Sequence, residues 1–169
     1  FFILVAAMNP CPCGWFGDYS HECTCTPIQM QRYNKRISGP LLDRIDMHIE
    51  VPRLETEKLT SLPTGESTET IRNRVNEARE RQLLRYRDET VFSNAELNAR
   101  LMRTFCDMPA EAEDLLKQAI KTYGYTARAY DRIRKLALTI ADLSGADGIR
   151  TEHVAEAVTL RTLDRKYWG

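Results

Sequence analysis

The amino-acid sequence predicts a mainly α protein, in which a remnant of an α/β core with a cysteine-rich loop precedes an all-α helical bundle. Residues 2–7 are all apolar and are soon followed by Asn9-Pro10, which is typical of a buried strand that stops at a turn. Residues 46–51 alternate between polar and apolar side chains, as a half-buried strand does. From about residue 68 onwards the pattern is helical. One or two strands and a bundle are therefore expected.

A polar segment separates these two parts. Residues 55–67 are rich in Thr, Ser, Glu, Pro and Gly and offer little to bury, which is typical of a linker. We therefore divide the chain into a core part at 1–54, a linker at 55–67 and a helical domain at 68–169.

Helix boundaries follow from capping residues and breakers. The first long helix is expected at 68–87, with Ile71, Val75 and Ala78 on its apolar face. Ser93 opens a capping-box pattern that predicts the start of the next helix. Gly124 is expected to close the helix that starts after residue 107. The remaining helices are expected at 126–143 and 151–160, with shorter ones at 27–35 and 41–44.

The composition, charge and hydropathy of the chain exclude several classes of protein. The chain has 169 residues, 43% of them hydrophobic and 28% charged, which indicates a globular rather than a disordered protein. Its formal net charge is zero, so DNA would have to be bound by a local patch or by a multimeric ring. The apolar run at 1–8 is too short to cross a bilayer. We expect a soluble cytoplasmic protein with no membrane partner, and, because the chain opens without Met inside an apolar run, a fragment of a longer one.

Four of the five cysteines lie in one cluster, as two Cys-x-Cys pairs: Cys11 with Cys13, and Cys23 with Cys25. Four thiolates can complete a tetrahedral zinc shell, and clustered cysteines in a reducing compartment are more often metal ligands than disulfides. The sequence therefore predicts a structural zinc ion. The alternative is a set of free or redox-active thiols in a flexible loop.

Two further residues bear on this cluster. His21 lies between the pairs and is a candidate substitute ligand, although a single His in such a loop is more often exposed to solvent. Cys106 stands alone in a helical segment, where a small buried core residue is the ordinary interpretation.

Several motifs occur in an order that is similar to one family. They are Val-Ala-Ala-Met-Asn-Pro at 5–10, the Cys-Pro-Cys-Gly loop, Arg-Ile-Ser-Gly-Pro-Leu-Leu-Asp-Arg-Ile-Asp at 36–46, Thr-Ala-Arg-Ala-Tyr-Asp-Arg-Ile at 126–133 and Leu-Arg-Thr-Leu-Asp-Arg at 160–165. The chain closely resembles the magnesium-chelatase-like branch of AAA+ ATPases, and within it the bacterial ComM/YifB family. The resemblance spans nearly the whole chain.

That resemblance implies roles for three residues. Asn9 matches sensor 1, whose amide helps to orient the attacking water near the γ-phosphate. Arg44 matches the arginine finger, which a subunit donates to the ATP of its neighbour. Arg128 matches sensor 2, which reports the nucleotide state to the helical lid. Taken singly, each also has an ordinary interpretation. Asn9 could be a turn residue before proline, and Arg44 could pair with Asp43 or Asp46. Arg128 shares a helical face with Arg132 and Lys135, at i, i+4 and i+7, which is usually a solvated stripe.

One motif of the family is missing from these residues. No Gly-x-x-x-x-Gly-Lys-Ser/Thr phosphate loop occurs in the chain, and no acidic magnesium-binding strand precedes Asn9. We therefore expect ATP and Mg²⁺ to be cofactors of the full-length protein only, and the fragment alone to be inactive.

The resemblance implies a motor that assembles into a ring, expected to be a hexamer, and couples ATP hydrolysis to DNA remodelling by branch migration during recombination and natural transformation. Two alternatives remain at this stage. One is a chelatase-type motor subunit that remodels a magnesium-inserting enzyme. The other is a zinc-stabilised helical interaction module without catalysis.

Overall fold

The computed structural model describes residues 3–51 and 65–161 of the chain. Within them, α1 spans Pro27–Asn34, α2 spans Gly39–Leu42, α3 spans Thr68–Arg85, α4 spans Ala99–Phe105, α5 spans Ala110–Tyr123, α6 spans Ala127–Leu143 and α7 spans Thr151–Thr159. A 3₁₀ turn at Asn94–Glu96 lies between α3 and α4. The expected mainly α class is confirmed. None of these helices is long and apolar enough to span a bilayer.

The two expected strands are not formed in the described part of the chain. Residues 3–9 and 46–51 have no regular structure and carry some of the most exposed apolar side chains, with Ile3 91% and Val51 85% exposed. A strand exists only through hydrogen bonds to a neighbouring strand, and residues 3–51 and 65–161 offer none. The strand predictions were therefore wrong for these residues, because the described part of the chain contains no strand with which they could pair.

The helical bundle is built around α6. This helix packs against α3, α7 and the 3₁₀ turn, while α5 packs against α7. Its core is made of aliphatic side chains that each expose 2% or less of their surface: Leu101, Leu116, Ile133, Leu138 and Val154. Cys106 joins this core and is fully buried, as expected. Burial of such side chains is the main stabilising term of a small helical domain.

Local capping explains most helix ends. The side chains of Ser67 and Thr126 accept hydrogen bonds from the third backbone N–H groups of α3 and α6. Gly124 ends α5 in the left-handed region, with φ of 61°. The start expected at Ser93 was wrong, because that residue precedes only the 3₁₀ turn. The side chain of Asn98 instead caps α4.

The first half of α3 extends beyond the core. Ala78 and Gln82 are buried, whereas Ile71 and Val75 are more than 40% exposed. The expected burial of these two side chains was wrong, since no described residue covers the helix there. The proposed linker at 55–67 falls mostly outside the described residues, so the domain boundaries stay a prediction.

Candidate functional site

The first cysteine pair sits on a tight turn. The backbone N–H of Gly14 donates a 3.0 Å hydrogen bond to the carbonyl of Cys11, which closes a turn over Cys11-Pro12-Cys13-Gly14. Proline pre-sets the second position of such a turn. Gly14 has a φ of 85°, a conformation that suits glycine. This turn places the sulfur atoms of Cys11 and Cys13 3.3 Å apart.

The loop between the two pairs is ordered by its own side chains. The Asp18 carboxylate accepts hydrogen bonds from the backbone N–H groups of Ser20 and His21, at 2.7 and 2.9 Å. The His21 ring stacks on Trp15, with 4.1 Å between ring centroids. His21 is thereby placed outside the sulfur cluster, so the loop offers four thiols and no imidazole ligand.

The four thiols fit a tetrahedral metal. Their sulfur atoms all lie within 4.8 Å of one another, and Cys23 lies 3.7 Å from Cys11 and 3.6 Å from Cys13. A tetrahedral zinc ion with bonds of about 2.3 Å requires sulfur atoms about 3.8 Å apart. A disulfide would need roughly 2 Å, and all four thiols are free. The donor set and its spacing match zinc.

The cluster holds its thiols in unlike electrostatic environments. A hydrogen bond from the backbone of Trp15 lowers the pKa of Cys13 to about 5. Burial raises the pKa of Cys25 to about 12. Coordination deprotonates a thiol, so a bound Zn²⁺ would replace this uneven pattern with four thiolates around one cation.

Asn9 lies against this cysteine loop. Its amide nitrogen would stand 3.8 Å from a Cβ atom built on Gly14. Its backbone carbonyl accepts a 3.0 Å hydrogen bond from the hydroxyl of Tyr33 on α1. The residue is exposed, so its amide is open to a ligand from outside the described chain.

Arg44 lies just after α2 and is also exposed. Its guanidinium donates a 2.7 Å hydrogen bond to the carbonyl of Pro40, one turn earlier. It does not pair with Asp43 or Asp46 in the described structure, which disfavours the ordinary interpretation of this arginine as half of a local ion pair.

The segment that carries Arg44 docks on the start of α6. The hydroxyl of Thr126 donates to the Asp43 carboxylate at 3.2 Å while it accepts from the backbone N–H of Ala129 at 3.2 Å. Arg128, in the first turn of α6, is exposed, and no side chain in the described ranges binds its guanidinium. The direct sequence neighbours of Arg44 and the cap of Arg128's helix are therefore in contact.

Other contacts of this segment were missed by sequence reasoning. Arg132, expected to be part of a solvated stripe, forms an ion pair with Asp46. The fully buried guanidinium of Arg161 donates to the backbone carbonyl of Ile45. Lys135, the third member of the stripe, donates to the carbonyl of Ala95 at 2.9 Å. The i, i+4, i+7 spacing gave no sign of these contacts, because their partners are distant in sequence.

Two family models match the chain. The one described as "Magnesium chelatase, subunit ChlI C-terminal" matches residues 65–161, and the one described as "Magnesium chelatase, subunit ChlI" matches residues 1–59. The chain belongs to the magnesium-chelatase family. The described helical bundle is the part of this family member that the C-terminal model covers.

Individual relatives of this magnesium-chelatase family member agree with that assignment. The chain is 40% identical to YifB of Escherichia coli over 166 residues, which are 97% of the chain and 31% of YifB. It is 39% identical to the competence protein ComM of Haemophilus influenzae over 165 residues, again 97% of the chain and 31% of that protein. The chain thus spans about a third of the length of these relatives, and the expected ComM/YifB resemblance is confirmed.

Proposed function

We propose that this chain forms the carboxyl-terminal part of an AAA+ ATPase that assembles into a ring, a hexamer, and couples ATP hydrolysis to DNA remodelling. Membership of the magnesium-chelatase family supports a nucleotide-driven motor. The similarity to a relative named as a competence protein supports DNA as the substrate, with branch migration as the remodelling step.

The observation that carries this proposal is the presentation of Arg44. Its guanidinium is exposed, yet the segment around it is anchored to the bundle through Asp43, Ile45 and Asp46. A cation whose segment is anchored to the bundle, and whose exposed guanidinium is held among the described residues by the Pro40 carbonyl alone, suits a charge donated to a neighbouring subunit. We assign Arg44 to stabilise the transferring phosphoryl group of that neighbour and Asn9 to orient the attacking water in its own subunit. Arg128 contacts the nucleotide from the lid.

A subunit-mixing experiment on the full-length protein tests this assignment. Arg44→Ala and Asn9→Ala should each lower the rate of ATP hydrolysis, and the loss at Arg44 should reach roughly 10³-fold because an arginine finger contributes that much or more. An equimolar mixture of the two inactive variants should recover activity, since an interface between them can contain one intact Asn9 and one intact Arg44. Arg103→Ala, which removes an exposed arginine elsewhere, is the matched control.

Full turnover by Arg44→Ala would contradict the proposal. A mixture that stays inactive would also contradict it, because it would mean that one subunit supplies both Arg44 and Asn9 to the same ATP. The 169-residue chain alone carries no phosphate loop. It should therefore show no micromolar ATP binding in isothermal titration with Mg²⁺.

A chelatase-type motor is the second candidate, favoured by the description of both matching family models. The two proposals differ in what should stimulate the ATPase activity of the full-length protein. ATPase activity that rises when DNA is added supports DNA remodelling. Activity that rises only with a metal-inserting partner enzyme supports the chelatase role.

We further propose that the cluster of Cys11, Cys13, Cys23 and Cys25 holds one structural Zn²⁺. Zinc would cross-link the two Cys-x-Cys pairs of a loop that buries little apolar surface of its own, which is the usual role of a four-thiolate site. Metal analysis of the purified chain should give one zinc per chain. Cys23→Ser should lose it to a chelator that the wild type resists, whereas Cys106→Ala should retain it.

A further inference from the structure

An open groove of about 410 Å³ lies between the cysteine loop and α1. Its lining includes Pro12, which stands between Cys11 and Cys13, and side chains of α1 and of the residues that follow it: Gln29, Arg32, Tyr33 and Arg36. The proposed ATPase and zinc site leave this groove without a role.

The groove carries uncompensated positive charge. No acidic residue occurs between Glu22 and Asp43, a stretch that contains Arg32, Lys35 and Arg36. Arg32, in α1, and Arg36, two residues after its end, are both exposed, and no carboxylate in residues 3–51 or 65–161 pairs with either. Several arginines of the bundle do have acidic partners: Arg74 with Glu66, Arg100 with Glu89 and Arg132 with Asp46. Two guanidinium groups at one groove, neither paired with a carboxylate of the described residues, favour an anionic ligand with more than one charge.

An aromatic side chain lines the groove together with the two arginines. Tyr33 is half-buried, and its hydroxyl is already used by the hydrogen bond to the carbonyl of Asn9. Its ring is therefore held in the groove that Arg32, Arg36 and Pro12 also line. A positively charged groove with a fixed aromatic ring is the arrangement that binds single-stranded nucleic acid, where phosphates contact the cations and a base stacks on the ring.

We infer that this groove binds a single strand of DNA, with Arg32 and Arg36 on consecutive phosphates and a base against Tyr33. The inference rests on the proposed DNA-remodelling function and gives it a location. A bound zinc ion would also support this groove, because it would fix Cys11 and Cys13 and with them Pro12, which lies between them. Since Tyr33 contacts the backbone of Asn9, the strand lies one side chain away from the proposed ATP-sensing residue.

Fluorescence anisotropy of a labelled oligothymidylate, titrated with the zinc-loaded 169-residue chain over a series of salt concentrations, tests this site. The wild type should bind with a salt-dependent affinity. Arg32→Ala combined with Arg36→Ala should weaken binding at low salt by tenfold or more. Loss of two phosphate contacts should also reduce the slope of log affinity against log salt by about 1.4, at roughly 0.7 per contact for a single strand.

The matched control is Arg72→Ala combined with Arg103→Ala. It removes the same charge from two exposed arginines of the bundle and should leave both the affinity and the slope unchanged. Tyr33→Leu keeps an apolar side chain at this position but removes the aromatic face. It should weaken binding without changing the slope of log affinity against log salt. Circular dichroism and zinc content confirm that each variant is folded.

Three outcomes would overturn the inference: no binding by the wild-type chain, equal affinity of the two double variants, or a matched duplex or ATP binding as tightly as the single strand. These outcomes leave the proposed function standing if the full-length protein still shows DNA-stimulated ATPase activity that Arg44→Ala abolishes. If that activity is also missing, the proposed function fails on its own test.

Discussion

Arg161, at the end of α7, donates a 2.7 Å hydrogen bond from Nη1 to the backbone carbonyl of Ile45, more than a hundred positions earlier in the chain. The backbone N–H of His48 donates in the same region to the carbonyl of Leu160, also at 2.7 Å. These contacts fasten the segment that contains Arg44 to the last helix of the bundle. The position of the proposed arginine finger therefore depends on the folding of a helix that is remote in sequence.

Replacement of Arg161 should release this segment. The guanidinium is fully buried, so Arg161→Met leaves the Ile45 carbonyl without its charged donor and should lower the free energy of unfolding by about 1–3 kcal/mol. Urea unfolding of the 169-residue chain, followed by circular dichroism, measures this loss. Arg103→Met, at an exposed position, should change stability little, and an equal loss in both variants would contradict the role given to Arg161.

Loss of the buried ion pair between Arg85 and Asp142 should lower stability more than loss of an exposed ion pair. The Asp142 side chain is fully buried, where it pairs with Arg85 and accepts a 2.9 Å hydrogen bond from the amide of Asn94. Asp142→Ala leaves a partly buried guanidinium without its counter-ion and should cost about 3–5 kcal/mol in urea unfolding. Asp147 is fully exposed and lies 3.8 Å from Arg81, so Asp147→Ala should cost less than about 1 kcal/mol. Similar losses for the two variants would refute this ranking.

The helices of the bundle could largely be predicted from the sequence because their signals are local. Thr126 and the apolar spacing that follows it placed α6 within one residue of its observed start. The same reasoning failed at Ser93. There the hydroxyl donates to the Glu96 side chain at 2.7 Å, and Asn94 turns inward to the buried carboxylate of Asp142. A tertiary contact thus replaced the helical turn that the local pattern predicted.

The same distinction between local and long-range contacts explains which parts of the candidate sites could be predicted from the sequence. The cysteine cluster follows from spacing within one short loop, so the sequence revealed it. Two other contacts join residues that are far apart in the chain, so no spacing rule predicts them. They are the hydrogen bond from Arg161 to the Ile45 carbonyl and the ion pair of Arg132 with Asp46. The strands failed for a related reason, since a strand is defined by a partner that the described residues do not contain.

A side chain at Gly124, which ends α5, should destabilise the protein. Its φ of 61° costs a non-glycine residue about 1–2 kcal/mol, so Gly124→Ala should lower stability by that amount. Gly148 has no positive φ, and a Cβ atom there would meet nothing within 4 Å, so Gly148→Ala should be within about 0.5 kcal/mol of the wild type. Thermal unfolding of both variants gives the comparison, and a neutral Gly124→Ala would show that the turn relaxes.

Thiol accessibility should separate the metal cluster from the core cysteine. Burial raises the pKa of Cys106 from its ordinary 9.0 to about 11, which keeps this thiol neutral in the folded protein. The core also encloses its sulfur, so Cys106 should stay unmodified by iodoacetamide at pH 8 until the bundle unfolds. Removal of zinc should release the loop that carries the other four cysteines and so make their thiols accessible to the reagent. The neutral thiol favours folding at lower pH, and this preference declines as the pH rises from 9 through 11.

Mass spectrometry should therefore count the five cysteines in three steps. The zinc-loaded chain should take up no alkyl groups, the chelated chain four, and the unfolded chain all five. Cys106→Ala should give none, four and four. Uptake of four groups before any chelator is added would mean that the cluster holds no metal, and uptake of a fifth under native conditions would contradict the burial of Cys106.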